Sequence, residues 1–251
     1  MDPDLQSLCD LAQQQLQRMD YLACEHTLVR AERLALEHED FDTIARLYMP
    51  LQESRRQRRL VCGEGVVKLD LIAQNADHAL DAGQIVARYP HGQLLVAGWG
   101  SIEPALRVRE LAAQRSLYVE TYLAAVYPVG SSRAAVVVPT RDVGLPEPGS
   151  IGSIDELLTR VPAPSLVVPE NELPVGERRG TTETFAHTMA LWERLHAPFL
   201  AAGDSATEPA RKIAGYRRAI EVDYACELAH QKLSAVAREL ARARRAGAAV
   251  R

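Results

Sequence analysis

Hydrophobic spacing divides this 251-residue sequence into three parts and is the feature that most restricts its fold. Apolar residues recur every three or four positions over 5–61 and again from Thr184 onward, which predicts amphipathic helices at both ends. Between them, apolar residues occur in short runs interrupted by glycine and proline, as in strands and turns. We therefore predict a helical segment over 1–62, an α/β middle over 63–180 and a second helical segment over 181–251.

Short apolar runs in the middle segment predict a small sheet. The expected strands are 94–97, 117–129, 134–138 and 165–168. A predicted helix over 103–115 separates the first two runs, and such a crossover joins parallel strands. The short link at 130–133 predicts an antiparallel hairpin, whereas the spacing over 69–89 predicts a further helix. The expected fold class is α/β, or α+β, with a mixed sheet of about four strands between helical hairpins.

Breaks in the two end segments predict where their helices stop. A polar break at Met19 and Asp20 predicts a hairpin turn, and Pro50 predicts a kink or a split in a third helix over 42–60. The stretch Gly203-Asp204-Ser205 is expected to end a helix that begins near Thr184. The Ala/Arg-rich stretch 241–251 is expected to fray.

The end segments share an order of large and small residues. The N-terminal positions are Leu8, Leu11, Ala12, Asp20, Tyr21, Cys24, Leu28 and Ala31. The C-terminal positions are Trp192, Leu195, Phe199, Tyr216, Ala219, Ile220, Leu228 and Leu233. This order resembles the tetratricopeptide (TPR) repeat, a helix-turn-helix unit of about 34 residues. His196 departs from the repeat, standing where a small residue is usual, and so does Tyr224, where proline is common.

The resemblance implies a module that binds partner proteins or peptides along a concave helical surface. One hairpin cannot bury its apolar face alone. We therefore expect the N- and C-terminal helices to pack on each other. The residues expected to be buried are Leu11, Leu28, Ala31, Trp192, Phe199 and Tyr216.

Composition narrows the function classes. The 33 acidic and 29 basic side chains give a net charge of -4, whereas a nucleic-acid-binding protein is usually basic. Residues 1–4 lack a signal-peptide pattern, and no apolar run approaches the ~20 residues that cross a bilayer. We therefore expect a cytoplasmic protein without nucleic-acid or membrane partners.

Cysteine and histidine spacing predicts neither a metal site nor a cofactor. The cysteines Cys9, Cys24, Cys62 and Cys226 stand alone, without the C-x-x-C spacing of metal or redox pairs. The seven histidines form no H-x-x-x-H or H-E-x-x-H motif. We expect no cofactor and no metal.

The strongest local candidate for chemistry is the turn formed by Gly98, Trp99, Gly100 and Ser101. A glycine-rich turn between a strand and a helix can present backbone N–H groups to an anion. However, Glu103 stands where the third glycine of a dinucleotide fingerprint should fall, and it would repel a phosphate. The alternative is a tight turn capped by Ser101.

Three polar residues are further candidates in the middle segment. Glu120 interrupts an apolar strand, where a carboxylate is either catalytic or lies on the solvated face or near the edge of the sheet. Arg141 and Asp142 follow the run 134–138, and strand ends often carry ligand sites in α/β proteins. The alternative for this pair is a structural ion pair.

The run Arg55, Arg56, Arg58 and Arg59 is the densest basic cluster. It could bind phosphates, but we expect a solvated face or intramolecular ion pairs, because no aromatic residues are interleaved. The favoured function is an interaction or adaptor module whose partner is a protein, a peptide or a second copy of the chain. The alternative is an enzyme or small-ligand-binding protein whose site combines the turn at 98–101 with Glu120, Arg141 and Asp142.

Overall fold

The structure is a computed structural model that describes residues 3–249; Met1, Asp2, Val250 and Arg251 lie outside the described residues. The chain divides into two compact units. The helical unit comprises the described residues up to Arg59 and those from His196 onward. The α/β unit comprises Leu60 to Leu195.

Residues 3–249 form nine α-helices and six β-strands. The helices are α1 (Pro3–Gln17), α2 (Tyr21–Glu37), α3 (Phe41–Glu64), α4 (Ala82–Arg88), α5 (Glu103–Gln114), α6 (Ile154–Arg160), α7 (Thr182–Ser205), α8 (Pro209–Val222) and α9 (Glu227–Ala249). The strands are β1 (Val66–Ile72), β2 (His91–Trp99), β3 (Tyr118–Val129), β4 (Ser132–Val138), β5 (Leu166–Pro169) and β6 (Arg178–Arg179). Over this span no helix has the length and apolar character that crossing a bilayer requires.

The two ends of the chain share one hydrophobic core in the helical unit, as expected. Its fully buried members include Leu28 and Ala31 of α2, Tyr216 of α8 and Leu233 of α9. Leu11 was expected in this core but is 44% exposed. Neighbouring residues on an α-helix point about 100° apart, so the burial of Ala12 turns Leu11 toward solvent.

Two helices extend beyond the bounds that the sequence predicts. The third helix is not split at Pro50, since α3 continues through it to Glu64. The helix α9 extends to Ala249, into the stretch that was expected to fray. Ala241 is buried, and Arg245 beyond it pairs with Asp42 at 2.9 Å, so the last turns are tied to the helical unit.

A mixed sheet forms the centre of the α/β unit, in the order β5-β4-β3-β2-β1-β6. The neighbours β1, β2 and β3 run parallel, and the remaining pairs are antiparallel. The helix α5 joins the parallel pair β2 and β3, and a tight turn at Gly130 joins β3 to β4, which confirms both expected connections. The α/β fold class is therefore confirmed.

The sheet has six strands where about four were expected. The missed strand β1 and the short helix α4 occupy the stretch over 69–89 that was expected to be one helix. Val67 and Leu69 are buried and alternate with Lys68 and Asp70, the two-residue period of a strand. The sixth strand, β6, contains two exposed arginines and carries no apolar signal.

The two faces of the sheet pack on different helices. Val119 and Leu123 of β3 lie in a core with residues of α4, α5 and α6. The alternate residue Tyr122 faces the other way and stacks on Trp192 of α7, with ring centroids 4.3 Å apart. Trp192 is thus buried as expected, but against β3.

Candidate functional site

A groove of about 730 Å³ opens on the helical unit along α8. One side of α8 provides apolar surface from Ile213, Ala214 and Ile220. Charged side chains surround this surface, from α8 itself and from α2 and α3; they are Glu32, Arg55, Arg217, Arg218 and Glu221. The groove therefore combines an apolar strip with charges of both signs, a lining typical of a ligand or peptide site.

Ion pairs hold the charged rim of the groove in place. Glu32 accepts a hydrogen bond from the buried Tyr48 hydroxyl at 2.7 Å and lies 3.9 Å from Arg217. Arg218 pairs with Glu221 at 2.6 Å, one turn along α8. The Arg217 side chain is 53% exposed. Because its guanidinium is exposed and its contact with Glu32 is long, Arg217 can also pair with the carboxylate of a partner.

A buried charge network lies beneath the groove. Arg55 donates to Glu25 at 2.9 Å and to Nε2 of His230 at 3.0 Å. Arg58 donates to the other carboxylate oxygen of Glu25 at 2.7 Å. Burial alone would raise the pKa of Glu25, but Arg58 and Arg55 outweigh it and lower this pKa. Glu25 therefore remains charged and holds two helix α3 arginines against α2.

A second part of the network is centred on Asp223, which follows α8 and is fully buried. Arg59 lies 2.7 Å from its Oδ1, and Nδ1 of His196 donates to its Oδ2 at 2.7 Å. Burial opposes the charge of Asp223, but Arg59 and His196 together outweigh it and lower the pKa of Asp223 to about 2. Burial likewise opposes the charge of His196, but its hydrogen bond to Asp223 and its contact with Cys226 raise the pKa of His196 to about 9.

These contacts confirm intramolecular ion pairs for the arginine run of α3. Arg55 and Arg59 are buried and lie four residues apart, on the same helix face as Leu51. Arg56 pairs with Glu53 at 2.9 Å. The sequence signal for the burial of Arg55 and Arg59 was spacing. Residues four positions apart share a helix face, and Arg55 lies four positions from both Leu51 and Arg59.

The sequence prediction did not identify His196 and Asp223 as a cluster. His196 and Tyr224 were noted only as departures from the TPR pattern. In the structure the Tyr224 ring lies 4.3 Å from the Arg58 guanidinium and 4.9 Å from that of Arg59. Both departures therefore belong to the same charge network.

Comparisons with known proteins add no identification. No family model, curated protein or solved structure matches this chain. The TPR resemblance stays an interpretation of residue order, and the contacts within each unit bear on the function.

The candidate turn in the α/β unit uses its backbone groups internally. Gly100 donates its N–H to Val126 at 2.9 Å, and Ser101 donates to Gly98 at 3.3 Å. The Ser101 hydroxyl accepts the N–H of Glu103 at 3.2 Å. These contacts favour the interpretation of residues 98–101 as a tight turn.

Pro148 restricts access to the same turn. Gly100 has a φ of +58°, and a Cβ added to it would lie 2.6 Å from the Pro148 ring. The proline therefore packs directly over the backbone that an anion would have to approach, beside Trp99.

Glu120 lies within the α/β unit and not on a solvated face. Its side chain is buried and accepts a hydrogen bond from Gln93 at 2.8 Å. Gln93 in turn accepts one from the Thr188 hydroxyl at 2.9 Å. This chain of bonds ties β2 and β3 to α7.

The candidate polar residues do not share one site with the turn. Arg141 and Asp142 are exposed and follow β4, which runs antiparallel to β3 with Val138 opposite Leu123. They therefore lie toward the start of β3, near Glu120, whereas the turn follows the end of β2. At about 3.3 Å per residue the two ends are roughly 20 Å apart.

Two histidines of the charge network, His196 and His230, should give the stability of the protein an optimum near pH 6.5. The folded pKa of His196 is raised to about 9, so its contribution is complete below pH 6.5 and is lost as the pH rises to 9. Burial and then Arg55 lower the pKa of His230 to about 4. His230 is therefore neutral when folded, and stability should fall as the pH drops from 6.5 to 4.

On each side of the optimum, the free energy of unfolding should fall by about 2–3 kcal/mol, at 1.36 kcal/mol per pKa unit. We call these two decreases the acid limb and the alkaline limb, and urea unfolding at pH 5, 6.5 and 8.5 measures both. His196→Gln should flatten the alkaline limb, and His230→Gln should flatten the limb between pH 6.5 and 4.5. A stability that rises steadily from pH 5 to 8.5 would contradict this assignment.

Proposed function

We propose that this protein is an interaction module that binds a protein or peptide partner in the groove along α8. The observation that carries the proposal is the groove itself, about 730 Å³ in volume, with an apolar strip between charged rims. Its walls are held by pairs such as Tyr48 with Glu32. A preformed site loses less conformational entropy on binding.

The packing of the helices supports a TPR-like interpretation of the helical unit. Small residues lie where α1 meets α2, since Ala12, Cys24 and Ala31 are all buried. The Cys24 thiol donates to the carbonyl of Ala12 at 3.4 Å, which places the two backbones close together. Such close approach is what the small positions of a helical repeat provide.

The chemistry of the groove favours a partner segment with acidic and apolar side chains. Ile213 and Ile220 offer apolar contacts, and Arg217 offers an exposed guanidinium that can bind a carboxylate. A segment with one acidic residue beside aliphatic or aromatic residues would match both features.

Selection from a displayed random-peptide library, followed by fluorescence anisotropy, tests this proposal. We expect acidic–apolar peptides to be enriched. Arg217→Glu should weaken their binding by about tenfold or more, because charge reversal places like charges together at a cost above 1.4 kcal/mol. Ala214→Arg should weaken it similarly by filling the groove.

Arg211→Glu is the matched control. Arg211 lies on the same helix, is 77% exposed, and does not line the groove. It should leave peptide affinity within about twofold. Equal losses from Arg211→Glu and Arg217→Glu, or binding unaffected by Ala214→Arg, would place the partner elsewhere.

A further inference from the structure

A second cavity, of about 280 Å³, lies in the helical unit between α1 and α3. The residues that line it on each of these helices are spaced so that they share one face, and Leu28 of α2 completes the lining. We call it the α1–α3 cavity. Its volume is just below the roughly 300–1,000 Å³ of pockets that hold drug-sized ligands, so it suits a smaller molecule.

The α1–α3 cavity has an apolar side. Leu28 and Leu47 are buried, and Leu16 is partly buried and packs against the same hydrophobic core. Ala12, also in the lining, is small and leaves room beside these leucines. An aliphatic or aromatic group of a ligand is therefore stabilised here, because its surface and that of the leucines leave water together.

Two opposite charges line the same cavity without forming ion pairs. Arg46 donates to the Asp42 carbonyl and to the Thr43 hydroxyl, each at 3.3 Å. Asp10 accepts a hydrogen bond from the neutral Gln6 amide at 2.7 Å. Within residues 3–249, no carboxylate forms an ion pair with Arg46, and no basic side chain forms one with Asp10. A ligand that carries both signs of charge complements this arrangement.

The Cys9 thiol shows that both charges reach one part of the cavity. Burial is the main cause of the raised pKa of this thiol; the Arg46 charge lowers the same pKa, and the Asp10 charge raises it. Cys9 lines the cavity and is partly exposed. Since interactions between exposed charges extend only about 10 Å at 0.1 M salt, Asp10 and Arg46 both lie near this sulfur, and one small ligand can meet both.

Pro50 adds a hydrogen-bond acceptor to the cavity. It lies inside α3 and is part of the lining. Proline has no N–H, so the Arg46 carbonyl four residues earlier loses its usual helical donor, and the proline ring lies against that carbonyl. An ammonium group has three N–H donors, which the Asp10 carboxylate and this carbonyl can accept.

We propose that the α1–α3 cavity binds a free α-amino acid with an apolar side chain. The Arg46 guanidinium binds the α-carboxylate, and the Asp10 carboxylate binds the α-ammonium group. The side chain of the ligand contacts Leu16, Leu28 and Leu47. This site is separate from the groove along α8 and does not depend on the proposed function.

Ligands with a single charge fit the cavity less well. A simple carboxylate would pair with Arg46 but bring a like charge near Asp10, and a simple amine would do the reverse. Each terminus of a peptide likewise carries only one of the two charges. The free amino acid is the small molecule that offers an ammonium group, a carboxylate and an apolar group together.

Isothermal titration calorimetry of the full chain with L-leucine and L-phenylalanine tests the proposal. At least one of them should bind with a dissociation constant below about 1 mM. The amide of the same amino acid lacks the carboxylate charge, and the corresponding des-amino acid lacks the ammonium group. Each analogue should bind at least about tenfold more weakly, because it leaves one charge of the cavity without a partner.

Two nearly isosteric variants assign the two charged contacts. Arg46→Gln should abolish the preference for the amino acid over its amide, and Asp10→Asn should abolish the preference over the des-amino acid. Arg33→Gln is the matched control, because Arg33 lies on α2 of the same unit, is 76% exposed and does not line the cavity. It should leave all three affinities unchanged.

Alkylation of Cys9 shows where the ligand binds. The amino acid at ten times its dissociation constant occupies about 90% of the sites, so it should slow iodoacetamide labelling of Cys9 by at least about threefold. Peptide mass spectrometry measures the rate. Cys24 is fully buried, and its labelling reports global unfolding.

The comparison of analogues on the wild-type protein remains decisive even if a variant fails to fold. The proposal is overturned if neither amino acid binds at millimolar concentration, if a singly charged analogue binds as tightly as the amino acid, or if Cys9 is not protected. It is also overturned if Ala214→Arg abolishes the binding, which would place the ligand in the groove along α8.

Discussion

Replacing Trp192 with alanine should lower the free energy of unfolding by about 3–5 kcal/mol, the range for a large buried aromatic side chain. The indole is 3% exposed and stacks on Tyr122, with an interplanar angle of 22°. Its removal would leave a cavity between α7 and the sheet. It would also remove an aromatic contact worth about 0.5–1.5 kcal/mol beyond the buried area.

Chemical denaturation followed by circular dichroism measures this loss. Leu158→Ala is the control, because Leu158 lies in the same unit on α6 and is half exposed; its effect should stay within about 0.5 kcal/mol. Trp192→Phe should cost less than Trp192→Ala, since it keeps a ring against Tyr122. An unchanged midpoint for Trp192→Ala would contradict the stacked arrangement.

Local hydrophobic period was sufficient to predict most elements of the α/β unit. The strands β3 and β4 coincide with runs of five or more apolar residues. The helix α6 coincides with apolar residues at helical spacing. The strand β1 was missed because its apolar residues, taken together with later ones in a loop and in α4, follow the three- to four-residue spacing of a helix. The two-residue strand β6 exists only through pairing with β1, and pairing partners cannot be read from local period.

The candidate sites show a similar limit. Glu120 was identified as an irregular polar residue, but its partner Gln93 lies 27 positions away along the chain, and Thr188, which bonds to Gln93, lies 95 positions from Gln93. Arg59, His196 and Asp223 meet only because the two ends of the chain fold into one unit. Spacing rules describe residues on one element, whereas this cluster takes residues from α3, α7 and the end of α8.

Breaking the Arg59–Asp223 pair should be as costly as losing Trp192. Arg59→Met should reduce the free energy of unfolding by about 3–5 kcal/mol, because it leaves the fully buried carboxylate without its guanidinium partner. Asp223→Leu should have a similar effect, since it leaves Arg59 buried without an anion. Arg56→Ala is the control on the same helix, because its pair with Glu53 is about 40% exposed, and it should cost about 1 kcal/mol or less.

The double variant Arg59→Met with Asp223→Leu separates charge pairing from packing. Neither uncompensated charge then remains, and apolar replacements of a buried pair are often neutral or stabilising. We therefore expect the double variant to lose at least about 2 kcal/mol less than the sum of the single losses, measured by urea unfolding at pH 6.5. His196 loses its carboxylate partner both in Asp223→Leu and in the double variant. The cost of losing that hydrogen bond therefore cancels in part when the two variants are compared. Additive losses would mean that the two side chains stabilise the helical unit independently, through packing and not through their mutual charge.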